Sequence, residues 1–413
     1  MKKIIVLILA FNLLNCSQKK SETNIKSDEL QITLSEELKQ IQSSGNLNGF
    51  SVSIVNEDSL LYSKGFGLAD VSANKPYTAN TIQNIASISK TLIGIALLKA
   101  QEQGLLLLDD PVTKHLGFEV INPYFPEETI TIRHLTTHTS SIIDGDIYDE
   151  KSYVLKAPKD SQSKSNIEIP EEFNPPSENT SMKSFLYDVL NKSGNYYSAD
   201  NYINKAPGTY FEYTNIGATL AALVVESASG EDYRDFTKKH ILKPLKMNTS
   251  GWTFEDVNMD NHSKLYSNKE TEFPFYTLIT YPDGGLITSA NDLSKFLIEL
   301  IKGFSGEGTI LNKDSFKEYF KPHLNDSHFE ERDAENPYND EYNFGVFIGQ
   351  SAQDNIGHTG GDPGVTTFMF FNTKTKIGRL MIINTDLNSD ADVQRLFSIW
   401  DKLGDYQEKL TEN

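Results

Sequence analysis

The sequence predicts an α+β fold in which both ends of the chain build one antiparallel sheet. Strand-like runs of β-branched and aromatic residues occur early, at 50–55 and 60–63, and again late, at 366–371 and 379–383. Between them lie runs with apolar residues at helical spacing. Strands at both ends with helices between them predict a sheet made from both termini, flanked by helices, with a mostly helical subdomain inserted beside it.

Local patterns predict the remaining elements in chain order. We expect Gly230 to end the third helix as a C-cap and Asn291 or Asp292 to cap the fourth. Segment 144–206 is polar, contains proline and lacks periodicity, and both a lid and a disordered excursion stay open for it. Helices are predicted at 30–41, 86–104, 218–227, 291–301 and 390–403, a further strand at 344–348, and turns at 56–59 and 373–376.

Composition limits the function classes. The chain has 413 residues, enough for one large domain or two smaller ones. Its formal net charge is −19, which argues against nucleic-acid binding because that needs a basic face. It contains one cysteine, so disulfides within the chain are excluded.

The N-terminus predicts a secretory leader. A basic start, Met1-Lys2-Lys3, precedes an apolar run at 4–14. Leu13-Leu14-Asn15-Cys16 then resembles a bacterial lipobox, in which the cysteine becomes the lipidated first residue. We therefore expect a lipoprotein signal peptide at 1–15, lipid on Cys16, a flexible tether at 16–32, and a location in the bacterial cell envelope. The alternative is an ordinary signal peptide with an incidental cysteine, and the membrane that carries the anchor stays open.

The pattern Ser87-x-x-Lys90 opens the second predicted helix. Residues three apart on a helix share a face, so the Ser87 hydroxyl and the Lys90 amine can touch. A serine hydroxyl becomes a good nucleophile only when a neighbouring base takes its proton. Burial among aliphatic side chains lowers the pKa of a lysine, so we expect Lys90 to help as that base. The pattern is short, and the common alternative is a surface helix start with a solvated lysine.

Two further motifs lie far along the chain. Tyr213-x-Asn215 offers a phenol that donates or accepts a proton and an amide that binds a carbonyl. The run 358–361, His-Thr-Gly-Gly, precedes a predicted strand; its glycines let a substrate backbone come close, and a free N–H can face a developing oxyanion. Taken singly, the first pair is common and the second is typical of a glycine-rich strand entry.

Together, and in this order, the three motifs resemble the signature of the serine β-lactamase and penicillin-binding protein superfamily, Ser-x-x-Lys, Ser/Tyr-x-Asn and Lys-Thr-Gly. The tyrosine form is similar to the class C β-lactamase and DD-peptidase branch. The resemblance implies a β-lactamase/DD-peptidase-like domain at 33–408, with its sheet part at about 33–80 and 340–408 and its helical part at about 85–335. Similar segments also occur at 67–70, 108–112, 132–140, 244–247 and 284–293.

The resemblance implies a role for each residue of the first two motifs. Ser87 is the nucleophile that becomes acylated, and Lys90 helps to deprotonate it. Tyr213 carries protons between the nucleophile, the leaving group and, later, water. Asn215 orients Lys90 and the amide of the substrate.

The third motif, by the same resemblance, lies beside the substrate. His358, Thr359 and Gly360 line an edge strand along which the substrate binds, and the N–H groups of Ser87 and Gly361 form the oxyanion hole. His358 stands where β-lactamases carry a lysine, whose fixed charge binds the carboxylate of a β-lactam, whereas histidine is mostly neutral at pH 7. In this respect the motif is closer to DD-peptidases, D-aminopeptidases and esterases.

The resemblance thus implies a lipid-anchored serine hydrolase that forms an acyl-enzyme on an amide or ester, without a cofactor. DD-peptidase or D-aminopeptidase activity and esterase activity stay equally open; β-lactamase proper and a non-catalytic penicillin-binding-type sensor are the alternatives. The expected partners are a small-molecule or peptide substrate and the membrane, and the oligomeric state stays open. His134 and His138 are spaced like a metal pair but lack the glutamate of zinc proteases, so we predict no metal site.

Overall fold

The computed structural model describes residues 27–158, 166–330, 342–351 and 353–411. The signal peptide expected at 1–15, the lipidation site Cys16 and the tether up to residue 26 lie outside the described residues. The described part of helix α1 covers 27–43, so it contains the helix predicted at 30–41 and overlaps the segment 16–32 predicted as a tether.

The described residues form helices of very different lengths. Following α1, the α-helices are α2 (Lys90–Glu102), α3 (Thr113–Leu116), α4 (Ile132–Thr136), α5 (Asp146–Ser152), α6 (Met182–Leu190), α7 (Asn215–Ser229), α8 (Tyr233–Thr237), α9 (Ala290–Phe304), α10 (Lys313–Tyr319) and α11 (Asp390–Thr411). Single 3-10 turns lie at Ala86–Ser89, Pro176–Glu178, Ala199–Asn201, Met259–Asn261, Tyr281–Asp283 and Asp326–His328, and a π turn at Lys238–Leu242.

The strands of the described residues lie in four stretches of the chain, one of which holds β5 alone. They are β1 (Gly49–Val55), β2 (Leu60–Asp70), β3 (Lys75–Pro76), β4 (Ile82–Asn84), β5 (Tyr153–Leu155), β6 (Leu265–Tyr266), β7 (Glu272–Phe273), β8 (Tyr276–Leu278), β9 (Ile287–Ser289), β10 (Asn343–Phe344), β11 (Gly349–Ser351), β12 (Asn355–Asp362), β13 (Val365–Asn372) and β14 (Gly378–Ile383).

An eight-stranded antiparallel sheet, ordered β10-β11-β12-β13-β14-β1-β2-β3, contains strands from both ends of the chain. β14 pairs with β1, with Phe50 opposite Ile383, so the two ends meet in its centre as predicted. β4 with β9, β5 with β8 and β6 with β7 form separate two-stranded sheets, so the inserted part is not purely helical.

Helices cover the sheet on both faces, which explains the continuous apolar run of β14. Leu380 and Ile382 pack into the large core under α2, α7 and α9. Met381 and Ile383 point the other way, into a second core beneath α1 and α11. A strand covered on both sides is apolar at every position. We call the α1/α11 side the outer face.

Two sequence-based expectations differ from the structure and a third, at the end of α7, is confirmed. Segment 344–348 is not one strand: Phe347 has φ of 54°, and the Val346 and Phe347 N–H groups donate to Tyr319 and Thr136, which pulls the segment out of the sheet. Helix α9 is capped by Ser289, whose hydroxyl accepts from the Asp292 N–H, and not by Asn291 or Asp292. Gly230 does end α7, with φ of 70°.

Segment 144–206 holds regular structure where the structure describes it. α5, β5 and α6 lie in it, and β5 pairs with β8. Ser181 caps α6 by accepting from the Ser184 N–H. Within the described ranges, no helix is long and apolar enough to cross a bilayer.

Helix α2 comes very close to a neighbouring loop at Gly94. A Cβ placed on Gly94 would lie 2.2 Å from the Val346 carbonyl oxygen and 2.8 Å from the Tyr319 ring. Real Cβ contacts are not that short, so the glycine lets α2 pack directly on the segment between α10 and β11. This contact helps to hold the helix that begins at Lys90.

We predict that Gly94→Ala lowers the free energy of unfolding by about 1–3 kcal/mol, because the added methyl overpacks against backbone atoms. Urea unfolding followed by circular dichroism measures it. Gly145→Ala is the matched control, since the nearest atom to its added Cβ is the Asn201 side-chain oxygen at 3.5 Å. Equal stability of the two variants would contradict the packing described here.

Candidate active site

Ser87 lies in the 3-10 turn Ala86–Ser89 directly before α2. The backbone enters this turn through Ala86 with φ of 49°, a left-handed conformation that is uncommon outside glycine. The Thr367 hydroxyl donates to the Ile85 carbonyl at 2.8 Å, which ties the entry of the turn to β13. The sheet therefore fixes the position of the serine, and strain is stored at its neighbour.

Lys90 is the first residue of α2 and is fully buried. Its Nζ donates to Ser87 Oγ at 2.9 Å and to the main-chain carbonyl oxygen of Asp283 at 2.8 Å. The same nitrogen lies 5.2 Å from the centre of the Tyr213 ring. The contact expected between Ser87 and Lys90 is thus present, and Asp283 provides a second anchor that no motif indicates.

The pKa of Lys90 lies above its ordinary value, contrary to expectation. Burial by itself lowers this pKa, as expected, but nearby groups outweigh burial. They are Tyr213, Asp283 and Asp144, all of which favour the charged amine. The expectation of a lowered pKa is therefore wrong, because it considered only the aliphatic neighbours along the helix. Lys90 is an ammonium group that holds the serine oxygen.

The Tyr213 hydroxyl is buried and has no hydrogen-bond partner among the described residues. Its ring lies 4.4 Å from the ring of His138 and 6.1 Å from that of His358. His138 in turn packs edge-on against Phe344 and Phe347, at 5.0 and 5.4 Å. Aromatic contacts therefore fix the ring, while its hydroxyl stays available for proton transfer.

Asp144 fixes the backbone next to Tyr213, although no short motif marks it in the sequence. Its carboxylate oxygens accept from Thr214 Oγ1 at 2.9 Å, from the Asn215 N–H at 2.7 Å and from the Ile216 N–H at 2.8 Å. These are free N–H groups at the start of α7, where a negative charge is stabilised by the helix dipole. Asp144 thereby fixes the second motif on the first turn of α7.

Asn215 is the first residue of α7, and its side chain makes no hydrogen bond to Lys90. The Lys90 amine bonds instead to Ser87 and to the Asp283 carbonyl. No hydrogen bond therefore supports the expected orientation of Lys90 by Asn215. A role of Asn215 toward the substrate amide stays a prediction.

The third motif lies in strand β12, and the glycine-rich entry is a full strand of eight residues. β11 pairs only with Asn355–Gly357, so the half that begins at His358 forms a free edge in the described part of the sheet. A Cβ on Gly360 would lie 2.6 Å from the Ile85 carbonyl oxygen and 2.9 Å from the Ser87 nitrogen. Glycine at 360 thus lets the edge strand touch the serine turn.

His358 is buried and neutral at pH 7. Burial and, to a smaller extent, the charge of Lys90 lower its pKa to about 4. Its Nδ1 lies 2.5 Å from the Thr359 carbonyl oxygen, so this nitrogen carries the ring proton and donates it. The position therefore supplies no fixed positive charge.

Two buried carboxyl groups flank the serine turn. Tyr148 donates to both oxygens of Asp283 at 3.2 Å. Tyr153 donates to Asp362 at 2.9 Å, while the other oxygen of Asp362 is buried without a partner in the described ranges. Burial raises the pKa of Asp283 to about 6, and burial together with the charge of Asp283 raises that of Asp362 to about 7. Both acids therefore titrate near neutral pH.

A cavity with a volume of about 680 Å³ opens at this place. Ser87, Tyr213 and the run 357–361 line it, so the predicted nucleophile, the predicted proton carrier and the third motif share one space. Lys90 lies behind Ser87 and Asn215 is not on the wall. The rest of the wall comes from β10, β11, β13, β14 and α11, which no motif indicates.

The two histidines spaced like a metal pair have other contacts. His134 Nδ1 accepts from the Thr131 N–H at 3.3 Å as part of the cap of α4. His138 packs against Tyr213 and accepts from the Thr214 N–H at 3.2 Å. In the parts of the chain that the structure describes, no three His, Cys, Asp or Glu side chains are grouped to hold a metal ion.

Comparison with known proteins decides the family. The model of the Beta-lactamase family matches residues 34–402, which is most of the chain. The chain belongs to the Beta-lactamase family. The relationship implied by the three motifs is therefore confirmed.

Relatives of this Beta-lactamase-family chain are distant. It is 26% identical over 373 residues to the putative penicillin-binding protein PbpX of Bacillus subtilis, covering 88% of this chain and 76% of the relative. It is 27% identical over 259 residues to protein flp of Staphylococcus aureus, covering 61% of this chain. The chain spans less than half, 45%, of the length of flp.

A solved class C β-lactamase superposes with a TM-score of 0.65 at 19% identity, over 92% of this chain and 98% of that structure. This likeness concerns the fold alone. Together with the observed sheet and helices it confirms the predicted α+β, β-lactamase/DD-peptidase-like fold class.

We predict that Gly360→Ala slows the reaction of Ser87 with a fluorophosphonate probe at least tenfold, because the new methyl displaces the serine turn or β12. Gly361→Ala is the matched neighbour: no atom of another segment lies within 4 Å of a Cβ placed there, and the N–H is kept. The Gly361→Ala variant should lose far less of the labelling rate than Gly360→Ala. The rate of probe labelling, read by in-gel fluorescence, measures both, and equal losses would contradict the close contact at 360.

Proposed function

We propose that this chain is a serine hydrolase that cleaves an amide or ester through an acyl-enzyme on Ser87. The observation that carries the proposal is the hydrogen bond from the buried Lys90 amine to Ser87 Oγ, beside the unpartnered hydroxyl of Tyr213. A buried charge and a buried unpartnered hydroxyl both cost free energy. A protein that only binds a ligand has no use for both at one serine, which counts against the sensor alternative.

In the first half of the proposed reaction, Ser87 Oγ attacks the carbonyl carbon of the substrate. Its proton passes to the Tyr213 oxygen while the Tyr213 hydroxyl gives its own proton to the nitrogen or oxygen of the leaving group, next to the Lys90 ammonium. The N–H groups of Ser87 and Gly361 bind the oxyanion, and each lowers the barrier by on the order of 3 kcal/mol. When the tetrahedral intermediate collapses, the bond to the protonated leaving group breaks and the amine or alcohol departs.

In the second half, a water molecule attacks the ester between Ser87 and the acyl group. Tyr213 accepts a proton from this water and gives it to Ser87 Oγ as the acyl–oxygen bond breaks. The acid product leaves and the serine hydroxyl is restored. No cofactor is needed for either half.

The substrate class is argued from His358. A histidine with its pKa lowered to about 4 is neutral at pH 7, so it does not supply the fixed cation that binds a β-lactam carboxylate. This favours a DD-peptidase-like or D-aminopeptidase-like activity, or an esterase-like activity, over β-lactamase proper.

We predict that Ser87→Ala abolishes labelling by a fluorophosphonate probe, and that Lys90→Ala and Tyr213→Phe each slow it by about 10²–10⁴-fold, because proton transfer from the serine is lost. Tyr233→Phe is the matched control for Tyr213→Phe, since its hydroxyl is also buried without a partner in the described ranges but lies outside the cavity. Circular dichroism checks that each variant is folded. Labelling of Ser87→Ala at the wild-type rate would remove Ser87 from its role.

We also propose that a lipid on Cys16 anchors the chain in the bacterial cell envelope. The support is the basic start, the apolar run at 4–14 and the lipobox-like Leu13-Leu14-Asn15-Cys16. Covalent lipid adds about 0.8 kcal/mol of membrane affinity for each buried methylene group, so its loss should be visible in partitioning.

We predict that the Cys16→Ala variant, expressed from the full sequence in bacteria, moves to the aqueous phase of a detergent extraction, while wild type stays in the detergent phase. Ser17→Ala is the matched control, because it changes the neighbouring residue and keeps the thiol. Identical partitioning of Cys16→Ala and wild type would show that no lipid is attached there.

A further inference from the structure

The outer face of the sheet is not evenly covered by helices. α1 and α11 pack on β1 and β14, where Phe50, Val52 and Met381 are buried in the second core. β12 lies two strands away from β14, three from β1, and outside this core. Its outward residues Thr359 and Gly361 are exposed, so the sheet is open above the edge strand.

Four aromatic side chains border this open area, and we call them the aromatic face: Phe368 and Phe370 on β13, and Phe397 and Trp400 on α11. Phe368 contacts each of the others, with ring centres at 6.4 Å for Phe370, 6.3 Å for Phe397 and 5.4 Å for Trp400. Phe370 and Trp400 are 6.1 Å apart. The four rings therefore form one continuous apolar surface.

The aromatic face belongs to the same cavity as the nucleophile. All four rings line the cavity that also holds Ser87 and Tyr213. In the ladder, Phe368 is opposite Thr359 and Phe370 is opposite Gly357. Neighbouring strands are about 4.8 Å apart, so the rings begin one strand away from the motif strand. Glycine at 357 makes room for this, since a Cβ there would lie 2.6 Å from the Phe370 ring.

The far end of the aromatic face is held in place rather than loosely packed. The Arg379 guanidinium lies 4.3 Å above the Trp400 ring and donates to the Trp400 carbonyl oxygen at 2.8 Å. Phe397 nevertheless keeps 48% of its surface exposed, so its ring contributes apolar area to the cavity wall. An exposed apolar surface that continues a reactive cavity is typical of a substrate-binding wall.

We propose that the aromatic face binds the acyl part of the substrate, so that the chain acts on esters or amides of bulky apolar acids. Tyr213, which gives a proton to the leaving group, lies on the side of α7 and His138. The serine turn contacts one face of β12 at Gly360, whereas the rings lie on the outer face, so an acyl chain on Ser87 reaches them within the shared cavity by passing around the free edge of β12. This inference rests on the proposed hydrolase function and adds a substrate class to it.

The test compares p-nitrophenyl acetate with p-nitrophenyl octanoate as substrates of the purified protein. We expect wild type to show a kcat/KM for the octanoate at least about tenfold above that for the acetate, since added methylene groups gain binding in an apolar site. Phe397→Ala should lower this ratio about fivefold or more. Val393→Ala is the matched control on the same helix: its side chain is also exposed, at 39%, and lies outside the cavity.

Each remaining outcome has a distinct meaning. If the octanoate-to-acetate ratio of kcat/KM is equal in wild type, Phe397→Ala and Val393→Ala, the acyl site is overturned. In that case loss of turnover in Ser87→Ala would still support the hydrolase function. A Phe397→Ala variant that changes only the oligomeric mass by light scattering makes the aromatic face an interface and also overturns the acyl site. Hydrolysis that persists in Ser87→Ala overturns the proposed function and the inference with it, and a wild type that cleaves neither ester overturns the acyl site.

Discussion

The site depends on one buried cation. Lys90 has no exposed surface, and burying an ammonium group without partners costs many kcal/mol. Ser87 Oγ and the Asp283 carbonyl oxygen accept its hydrogen bonds, and the groups around it raise its pKa. Because the charge is compensated by Tyr213, just before α7, and by Asp283 in the 3-10 turn at Tyr281–Asp283, those segments must come together for the serine to be held at all.

The sheet supplies the second constraint, which is the close approach of β12 to the serine turn. β12 comes from the C-terminal part of the chain and the serine turn from the N-terminal part, and they meet because β14 pairs with β1. Only glycine is small enough at position 360 for the observed separation of β12 from Ile85 and Ser87. Fold and chemistry are therefore linked, since the strand pairing that closes the sheet also closes the site.

The sequence predicts what depends on short spacings. Ser87 and Lys90 are three residues apart, and the runs at 366–371 and 379–383 appear as β13 and β14, each extended by a residue or two. The strand predicted at 344–348 is absent because Phe347 is an apolar residue that is buried in the core without being part of a strand. The predicted direction of the Lys90 pKa shift is wrong because Tyr213 and Asp283, which are distant in the chain, set that direction.

Other features of the site are also invisible in a linear pattern. Asp144 caps α7, and Asp362 lies beside Tyr153, yet neither acid belongs to a spacing that marks its partner. The aromatic face joins β13 to α11, and its rings line the same cavity as Ser87 only because these elements pack together in the folded chain. These features arise from tertiary contacts, so they require the folded chain.

The protonation state of Lys90 tests this account most directly. It can be measured from the carbon-13 chemical shift of the Lys90 Cε as pH is raised, with Lys90→Met to assign the signal. The account predicts a titration midpoint above that of a free lysine side chain in the same buffer, since the groups around Lys90 outweigh burial and raise its pKa. A midpoint below that of the free side chain would contradict it, because burial would then outweigh those groups and Lys90 could itself take the serine proton as a neutral amine.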